Sequence, residues 1–133
     1  MTFQPERRPR VVIADDHPSV LVAFTRMLRR SCEVVASVPN GQEAIKAVDR
    51  LKPDVLLVDL MLPDIDGLAV CRTVRKSAPE TDVIIVTAFE NAQVEAASMQ
   101  DGAAAFVPKY SAMTLESTIH RIFTERLMNQ SVD

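Results

Sequence analysis

The sequence has few cysteines, and this limits the kinds of site that it can contain. Two occur among the 133 residues, Cys32 and Cys71, and both fall inside helical patterns. Two isolated thiols in helices fit burial in a reduced cytosolic protein better than they fit a disulfide framework or a metal site. We therefore expect both cysteines to be free and buried.

Long apolar runs and an excess of basic residues are also lacking. No stretch approaches the roughly 20 apolar residues of a membrane-spanning helix. Residues 2–10 hold Glu6 and three arginines but no apolar segment, which excludes a signal peptide. The net charge of −3 and the pI near 5.4 give no electrostatic footprint for nucleic acid. These absences predict a soluble, cytoplasmic protein that by this chain alone binds neither membrane nor nucleic acid.

What is present is the composition of one globular domain. Hydrophobic residues make up 47% and charged residues 25% of the chain, and the length suffices for a self-sufficient core. The sequence has no internal repeat, low-complexity tract or interdomain linker. We predict a domain over residues 10–128, with a flexible N-terminal tail over residues 1–9 and a C-terminal tail over residues 129–133.

Short apolar runs alternate with helical patterns along this domain. Runs without polar alternation suit strands buried on both faces. Five are predicted: Arg10–Asp15, Glu33–Val38, Asp54–Asp59, Asp82–Thr87 and Ala103–Val107. Apolar residues at helical spacing follow each run, although the segment Asn91–Asp101 is only weakly amphipathic. Five β-α repeats with right-handed crossovers predict an α/β fold, a three-layer α/β/α sandwich around a parallel sheet.

Chemically active side chains lie at the ends of three of these runs. Asp15 ends the first and Asp16 follows it, Asp59 ends the third, and Thr87 ends the fourth. Ligands of parallel sheets bind beyond the carboxyl ends of the strands. Carboxylates gathered there require a cation, and oxygen ligands without cysteine favour Mg²⁺. With a threonine hydroxyl and Lys109 after the fifth run, the set predicts a phosphoryl-transfer site.

Over roughly residues 10–128 the chain resembles the receiver domain of bacterial two-component response regulators, including the chemotaxis regulator. The resemblance rests on Asp15-Asp16, on Asp59, on Pro63-Asp64-Ile65-Asp66-Gly67, on Thr87-Ala88 and on Lys109, in this order and at these strand ends. It implies a flavodoxin-like five-stranded sheet with strand order 2-1-3-4-5.

The resemblance also implies a role for each matching residue. Asp59 would accept a phosphoryl group from a histidine kinase or a phosphotransfer protein. Asp16, Asp59 and the backbone carbonyl of Met61 would ligate Mg²⁺ directly, with Asp15 acting through water. The remaining set would contact the phosphoryl group or act in the switch: Thr87, Ala88, Lys109 and Phe106, which occupies the switch-aromatic position.

One departure from the family pattern concerns the residues around Lys109. Family members commonly have a proline directly after this lysine, whereas here the order is Pro108-Lys109-Tyr110. A non-proline cis bond costs about 2.5–4 kcal/mol, so we expect Lys109–Tyr110 to be trans. Pro108 lacks a backbone donor, which an edge strand tolerates. The isomer of Val107–Pro108 is left open.

Several other interpretations of these residues are weaker. His17 adjoins the acids, but its spacing matches no metal motif and predicts an ordinary loop histidine, and His120 on the last helix is expected to be exposed. Residues 62–73 fail as an EF-hand because Leu62 and Thr73 occupy ligand positions. They fail as a dehalogenase-like phosphatase motif because Pro63 precedes Asp64. We expect this segment to lead into the third helix, with Asp66 near its N-cap.

The leading functional hypothesis is a signalling module, not an enzyme, whose phosphorylation switches its binding of a downstream protein. The alternative is the N-terminal receiver part of a helix-turn-helix transcription regulator whose DNA-binding domain is absent from this chain. A metal-dependent phosphatase is a distant third. A homodimer is left open. Apolar Met61 and Phe89, each two residues beyond a site residue, predict slow hydrolysis of the phosphorylated state.

Overall fold

Strands and helices alternate along the chain, as the sequence predicts. The computed structural model describes residues 7–88 and 91–131. The strands are β1 (Arg10–Ala14), β2 (Glu33–Val38), β3 (Val55–Asp59), β4 (Asp82–Thr87) and β5 (Ala105–Pro108). The α-helices are α1 (Pro18–Leu28), α2 (Gly41–Leu51), α3 (Gly67–Ser77), α4 (Ala92–Gln100) and α5 (Leu115–Ser131). A 3₁₀ segment, Lys109–Thr114, joins β5 to α5.

The strands form one parallel sheet in the order β2-β1-β3-β4-β5. This confirms the predicted flavodoxin-like order and places β5 at an edge. Pro108, which has no backbone N–H, therefore lies on an edge strand, where the loss of a donor is tolerated.

Alternate residues of the buried strands point to opposite faces and build two cores. Val12 and Ala14 of β1 face the layer of α2 and α3 and pack near Val48 and Val70. Residues Val11 and Ile13 face the layer of α1 and α5 and join Leu28, Leu115 and Ile119. These two layers complete the predicted three-layer sandwich. Helix α4 buries one residue, Ser98, in agreement with its weak amphipathic pattern.

Some boundaries differ from the predicted ones. Strand β1 ends at Ala14 and not at the predicted Asp15. The backbone N–H of Asp15 still bonds to the carbonyl of Val38, and the chain then turns toward α1. Strand β5 begins at Ala105 rather than at residue 103, because the N–H of Ala103 instead bonds to the carbonyl of Ser98 and closes the end of α4.

Residues 7–9 make defined contacts, although we predicted a flexible tail up to residue 9. Arg7 forms two hydrogen bonds with Asp54, at 2.7 and 2.9 Å, and its guanidinium lies 4.9 Å from the ring centroid of Phe123. Pro9 is buried and its carbonyl accepts the N–H of Glu33. At the other end α5 continues to Ser131, past the predicted domain limit of residue 128. Residues 1–6, 89–90 and 132–133 lie outside the described residues.

The cysteines are free and buried, as predicted. Burial raises the pKa of the Cys71 thiol to about 11. The expectation of an exposed His120 is wrong, because α5 packs against the turn after α1. There the half-buried His120 lies with Nε2 at 3.8 Å from Sγ of Cys32. A helix suited to crossing a membrane is not found in the part of the chain that the structure describes.

Candidate functional site

The parallel strands bring the predicted site residues to one edge of the sheet. Asp15 and Asp16 follow β1, Asp59 is the last residue of β3, Thr87 is the last of β4, and Lys109 follows β5. Because β1, β3 and β4 are neighbours and β5 is next to β4, these ends lie side by side. The order of the strands, rather than their spacing in sequence, assembles the site.

Lys109 connects two buried aspartates. Its Nζ lies 2.9 Å from Oδ2 of Asp15 and 3.1 Å from Oδ2 of Asp59. Both carboxylates are almost fully buried, whereas the lysine side chain keeps a partial exposure to solvent. Removing one member of such a group leaves an uncompensated buried charge, which is strongly unfavourable. The ammonium group therefore holds both carboxylates at the sheet edge.

The pKa values of the two buried aspartates are shifted in opposite directions. Burial raises the pKa of Asp59, and this outweighs the lowering by Lys109 and by the N–H of Met61. Burial also acts on Asp15, but hydrogen bonds from Lys109 and His17 outweigh it and leave the pKa lowered. Burial lowers the pKa of Lys109, but the two carboxylates outweigh it and the net pKa is raised. Asp15 is thus the more firmly ionised of the pair.

Asp16 and His17 form the outer rim of the site. Asp16 keeps 38% of its side chain exposed and His17 keeps 63%. The imidazole Nδ1 lies 3.0 Å from Oδ1 of Asp15 and 3.1 Å from Oδ1 of Asp16. One ligand atom from each of Asp15, Asp16, His17 and Asp59 lies within 4.8 Å of the others. The structure brings His17 into the acidic group, which the spacing in sequence did not predict.

The loop after β3 is packed tightly against the end of the strand. Oδ1 of Asp59 accepts the N–H of Met61 at 3.2 Å. The N–H of Gly67 bonds to the carbonyl of Leu60, and a Cβ on Gly67 would lie 2.5 Å from the carbonyl oxygen of Asp59. A side chain at this position would therefore push the aspartate's backbone aside. Asp66 caps α3 by accepting the N–H of Ala69, as predicted.

Asp64 has a role that sequence reasoning missed. Its carboxylate accepts the backbone N–H groups of Gly41 and Gln42, the first residues of α2, and that of Ile65. It therefore links the loop after β3 to the start of another helix, where a negative charge is favourable. Desolvation raises the pKa of Asp64, but the backbone N–H groups around its carboxylate outweigh it, and the net pKa is lowered.

We expect Asp64→Ala to destabilise the fold at neutral pH, and the loss to fade in acid. Because the folded pKa lies below the unfolded value of about 3.9, the stabilisation is present above that value and disappears as the pH falls through the folded pKa. Urea unfolding of wild type and variant at pH 7 and pH 3 measures the difference. Exposed Asp49→Ala is the matched control. A deficit of equal size at both pH values would contradict the assignment.

The predicted switch residues lie on the side of β4 and β5. Thr87 is fully buried, Ala88 is exposed, and Phe106 is half-buried against the core on the α2 and α3 side. Phe89, predicted to restrict water, lies outside the described residues. Met61 is described, and 58% of it is exposed.

The backbone around Lys109 has the expected geometry. No cis peptide bond occurs within residues 7–88 and 91–131, so Val107–Pro108 and Lys109–Tyr110 are both trans. The 3₁₀ segment begins at Lys109 directly after β5, and from this position the lysine reaches both aspartates without a following proline.

The donors at this edge fit a hard divalent cation. The clustered carboxylate oxygens of Asp15, Asp16 and Asp59 are the ligands that Mg²⁺ prefers, and the exposed side of Asp16 leaves access for water. The acidic group can therefore hold a metal ion.

The comparisons with known proteins agree with this geometry. Residues 11–120 match the response regulator receiver domain family. The chain belongs to this family. As a receiver domain it is 37% identical over 102 residues to the response regulator GacA of Pseudomonas viridiflava, a match that covers 75% of this chain and 48% of GacA. It is equally identical over 103 residues to the oxygen regulatory protein NreC of Staphylococcus aureus, with 75% and 48% covered.

Solved receiver structures have the same fold. A two-component response regulator of the LuxR family from Aurantimonas superposes with a TM-score of 0.83 at 26% identity, covering 88% of this chain and 86% of that one. A DNA-binding response regulator of the LuxR family from Staphylococcus aureus gives 0.81 at 27%, with 86% and 98% covered. The receiver domain spans about half the length of the curated relatives it matches.

Proposed function

We propose that this receiver domain accepts a phosphoryl group on Asp59 and thereby switches its binding of a partner protein. The observation that carries the proposal is the bridge from Lys109 to Asp15 and Asp59 beside the rim formed by Asp16. A carboxylate at the centre of acids, a hydroxyl and an ammonium group is suited to act as a nucleophile toward phosphorus.

The transfer is a displacement at phosphorus. An oxygen of Asp59 forms a bond to the phosphorus of a phosphohistidine donor. The bond between the phosphorus and the histidine nitrogen breaks, and its electron pair stays on that nitrogen. Asp16, Asp59 and the backbone carbonyl of Met61 would hold Mg²⁺, with Asp15 acting through water. The ion would supply positive charge to the phosphoryl oxygens. The ammonium group of Lys109 then donates its hydrogen bond to a phosphoryl oxygen and no longer to the carboxylate of Asp59.

Thr87 and Phe106 connect the site to the surface. A phosphoryl group attracts the hydroxyl of Thr87 as a hydrogen-bond donor, and the movement shifts the packing of the neighbouring strand residue Phe106. The surface over α4, β5 and the 3₁₀ segment exposes Met99, Tyr110 and Met113. A shift in the population of its conformations changes the affinity of this surface for a partner.

The donor would be a histidine kinase or a phosphotransfer protein, and the reader a downstream protein. Such a module works by changing its binding and not by turning over a small substrate. Incubation of the protein with a small phosphodonor and Mg²⁺ tests the proposal. Intact-mass spectrometry should find one added phosphoryl group, and none when a chelator removes the metal ion.

A second candidate is the receiver part of a transcription regulator. The observation that favours it is that matches cover only about half of relatives such as GacA. The genomic reading frame around this sequence decides between the two. In either case we expect no sequence-specific DNA binding by these residues alone, because the chain has a net charge of −3 and its described residues include no basic recognition helix. Nanomolar, sequence-dependent retention of a duplex at physiological salt would contradict this.

We expect the phosphorylated state to be long-lived, and Met61→Asn to shorten its lifetime. The thioether of Met61 offers an attacking water no strong hydrogen bond, whereas an amide next to Asp59 can hold one. The measurement is acyl-phosphate decay in excess Mg²⁺ after removal of the donor. Met113→Asn, at a position 91% exposed, is the control. Equal decay of wild type and Met61→Asn would show that this side chain does not restrict the water.

A further inference from the structure

His17 is placed as a ligand would be at the edge of the acidic group. Its Nδ1 faces Oδ1 of both Asp15 and Asp16, and neither oxygen is the one that contacts Lys109. We propose that His17 is a metal ligand of this site and gives the site a preference for first-row transition ions over Mg²⁺. The inference rests on the proposed metal site and adds a residue and a class of ion to it.

The backbone on both sides of His17 fixes its position. Its N–H donates to Oδ1 of Asp15 at 2.9 Å, and its carbonyl accepts the N–H groups of Val20 and Leu21 in the first turn of α1. Pro18 follows at the first position of that helix. The side chain makes no capping hydrogen bond to the helix. Metal binding through Nδ1 therefore replaces the hydrogen bond between Nδ1 and Oδ1 of Asp15, and no capping bond is lost.

The distances also fit a shared ion. In an octahedral site with bonds of about 2.1 Å, adjacent ligand atoms lie about 3.0 Å apart. Nδ1 of His17 lies 3.1 Å from Oδ1 of Asp16, a proposed direct ligand, and 3.0 Å from Oδ1 of Asp15, with which it makes a hydrogen bond. A neutral imidazole can bind the ion through Nδ1 while the ring proton resides on Nε2. The side chain of His17 is 63% exposed, so solvent can take up or supply the ring proton as the imidazole binds the ion.

The chemistry of the nitrogen donor determines which ions gain. Mg²⁺ prefers oxygen ligands and keeps several waters, so an imidazole adds little to its binding. Imidazole suits Ni²⁺, Zn²⁺ and Cu²⁺, and affinity at nitrogen sites rises from Mn²⁺ to Cu²⁺ along the first row. His17 should therefore separate the affinities of transition ions from that of Mg²⁺ at the same carboxylates.

The test compares Mg²⁺ and Ni²⁺ binding by calorimetric titration of the untagged protein. The variants are His17→Ala and, as matched control, His120→Ala at the chain's other histidine. We expect His17→Ala to weaken Ni²⁺ binding at least about tenfold and Mg²⁺ binding by less than about twofold. His120→Ala should leave both affinities unchanged. Unchanged Ni²⁺ binding in His17→Ala, or an equal loss for both ions, would overturn the proposal.

Pulsed electron paramagnetic resonance of bound Mn²⁺ provides a second readout. Wild type should show coupling to a directly bound imidazole nitrogen, and His17→Ala should lack it. Absence of this coupling in wild type also overturns the inference. These failures are distinct from failure of the proposed function, in which wild type binds no Mg²⁺ or takes up no phosphoryl group.

Discussion

We expect the Asp59→Asn variant to take up no phosphoryl group, whereas wild type takes up one. The substitution keeps the shape of the side chain and removes the carboxylate oxygen that attacks phosphorus. It leaves Asp15 and Lys109 in place, with Nζ of Lys109 2.9 Å from Oδ2 of Asp15, so the remaining site keeps an ion pair. The measurement is intact-mass spectrometry after incubation with a small phosphodonor and Mg²⁺.

The matched control for this loss is Asp49→Asn. Asp49 is an exposed aspartate on α2 whose ion pair with Lys52 lies away from the sheet edge. The Asp49→Asn variant should take up as much phosphoryl group as wild type. If Asp59→Asn were labelled as fully as Asp49→Asn, the nucleophile would be another residue and the assignment would be wrong.

Asp16→Ala is expected to abolish Mg²⁺ binding. Asp15 and Asp59 already share the ammonium group of Lys109, so Asp16 is the rim carboxylate that faces solvent and an incoming hydrated ion. Mg²⁺ typically binds proteins through only one or two carboxylates, so the loss of one is severe. Calorimetric titration with Mg²⁺ measures the effect, and Asp49→Ala serves as control.

The same variant has an opposite effect on the metal-free fold. Removing Asp16 relieves repulsion among the clustered carboxylates, so the free energy of unfolding without metal should stay equal or rise. Mg²⁺ should then stabilise wild type but not the variant. Retained Mg²⁺ binding in Asp16→Ala would remove this residue from the ligand set.

The fold was predictable because its strands are buried on both faces. Runs such as Val55–Val58 have no polar alternation, and this feature predicts a parallel sheet with helices on both sides. The strand ends then located the acids. The order of the strands came from the family resemblance, since no local pattern encodes which strand lies next to which.

What sequence analysis missed depends on contacts between distant or sharply turned segments. Asp64 bonds to Gly41, 23 residues earlier, and Arg7 bonds to Asp54, 47 residues later. The position of His17 depends on the turn between β1 and α1, which brings its ring back over Asp15. Such contacts follow from the tertiary structure, and neither the spacing of residues nor the hydrophobic periodicity of the sequence predicts them.

The most direct test of the central claim is to locate the phosphoryl group. Borohydride reduces an aspartyl phosphate to homoserine, and peptide mass spectrometry then identifies the converted position. After treatment with phosphodonor and Mg²⁺, we expect homoserine at position 59 and at no other aspartate. Conversion at position 15 or 16, or none at all in protein that binds Mg²⁺, would contradict the assignment of Asp59 as the phosphoryl acceptor.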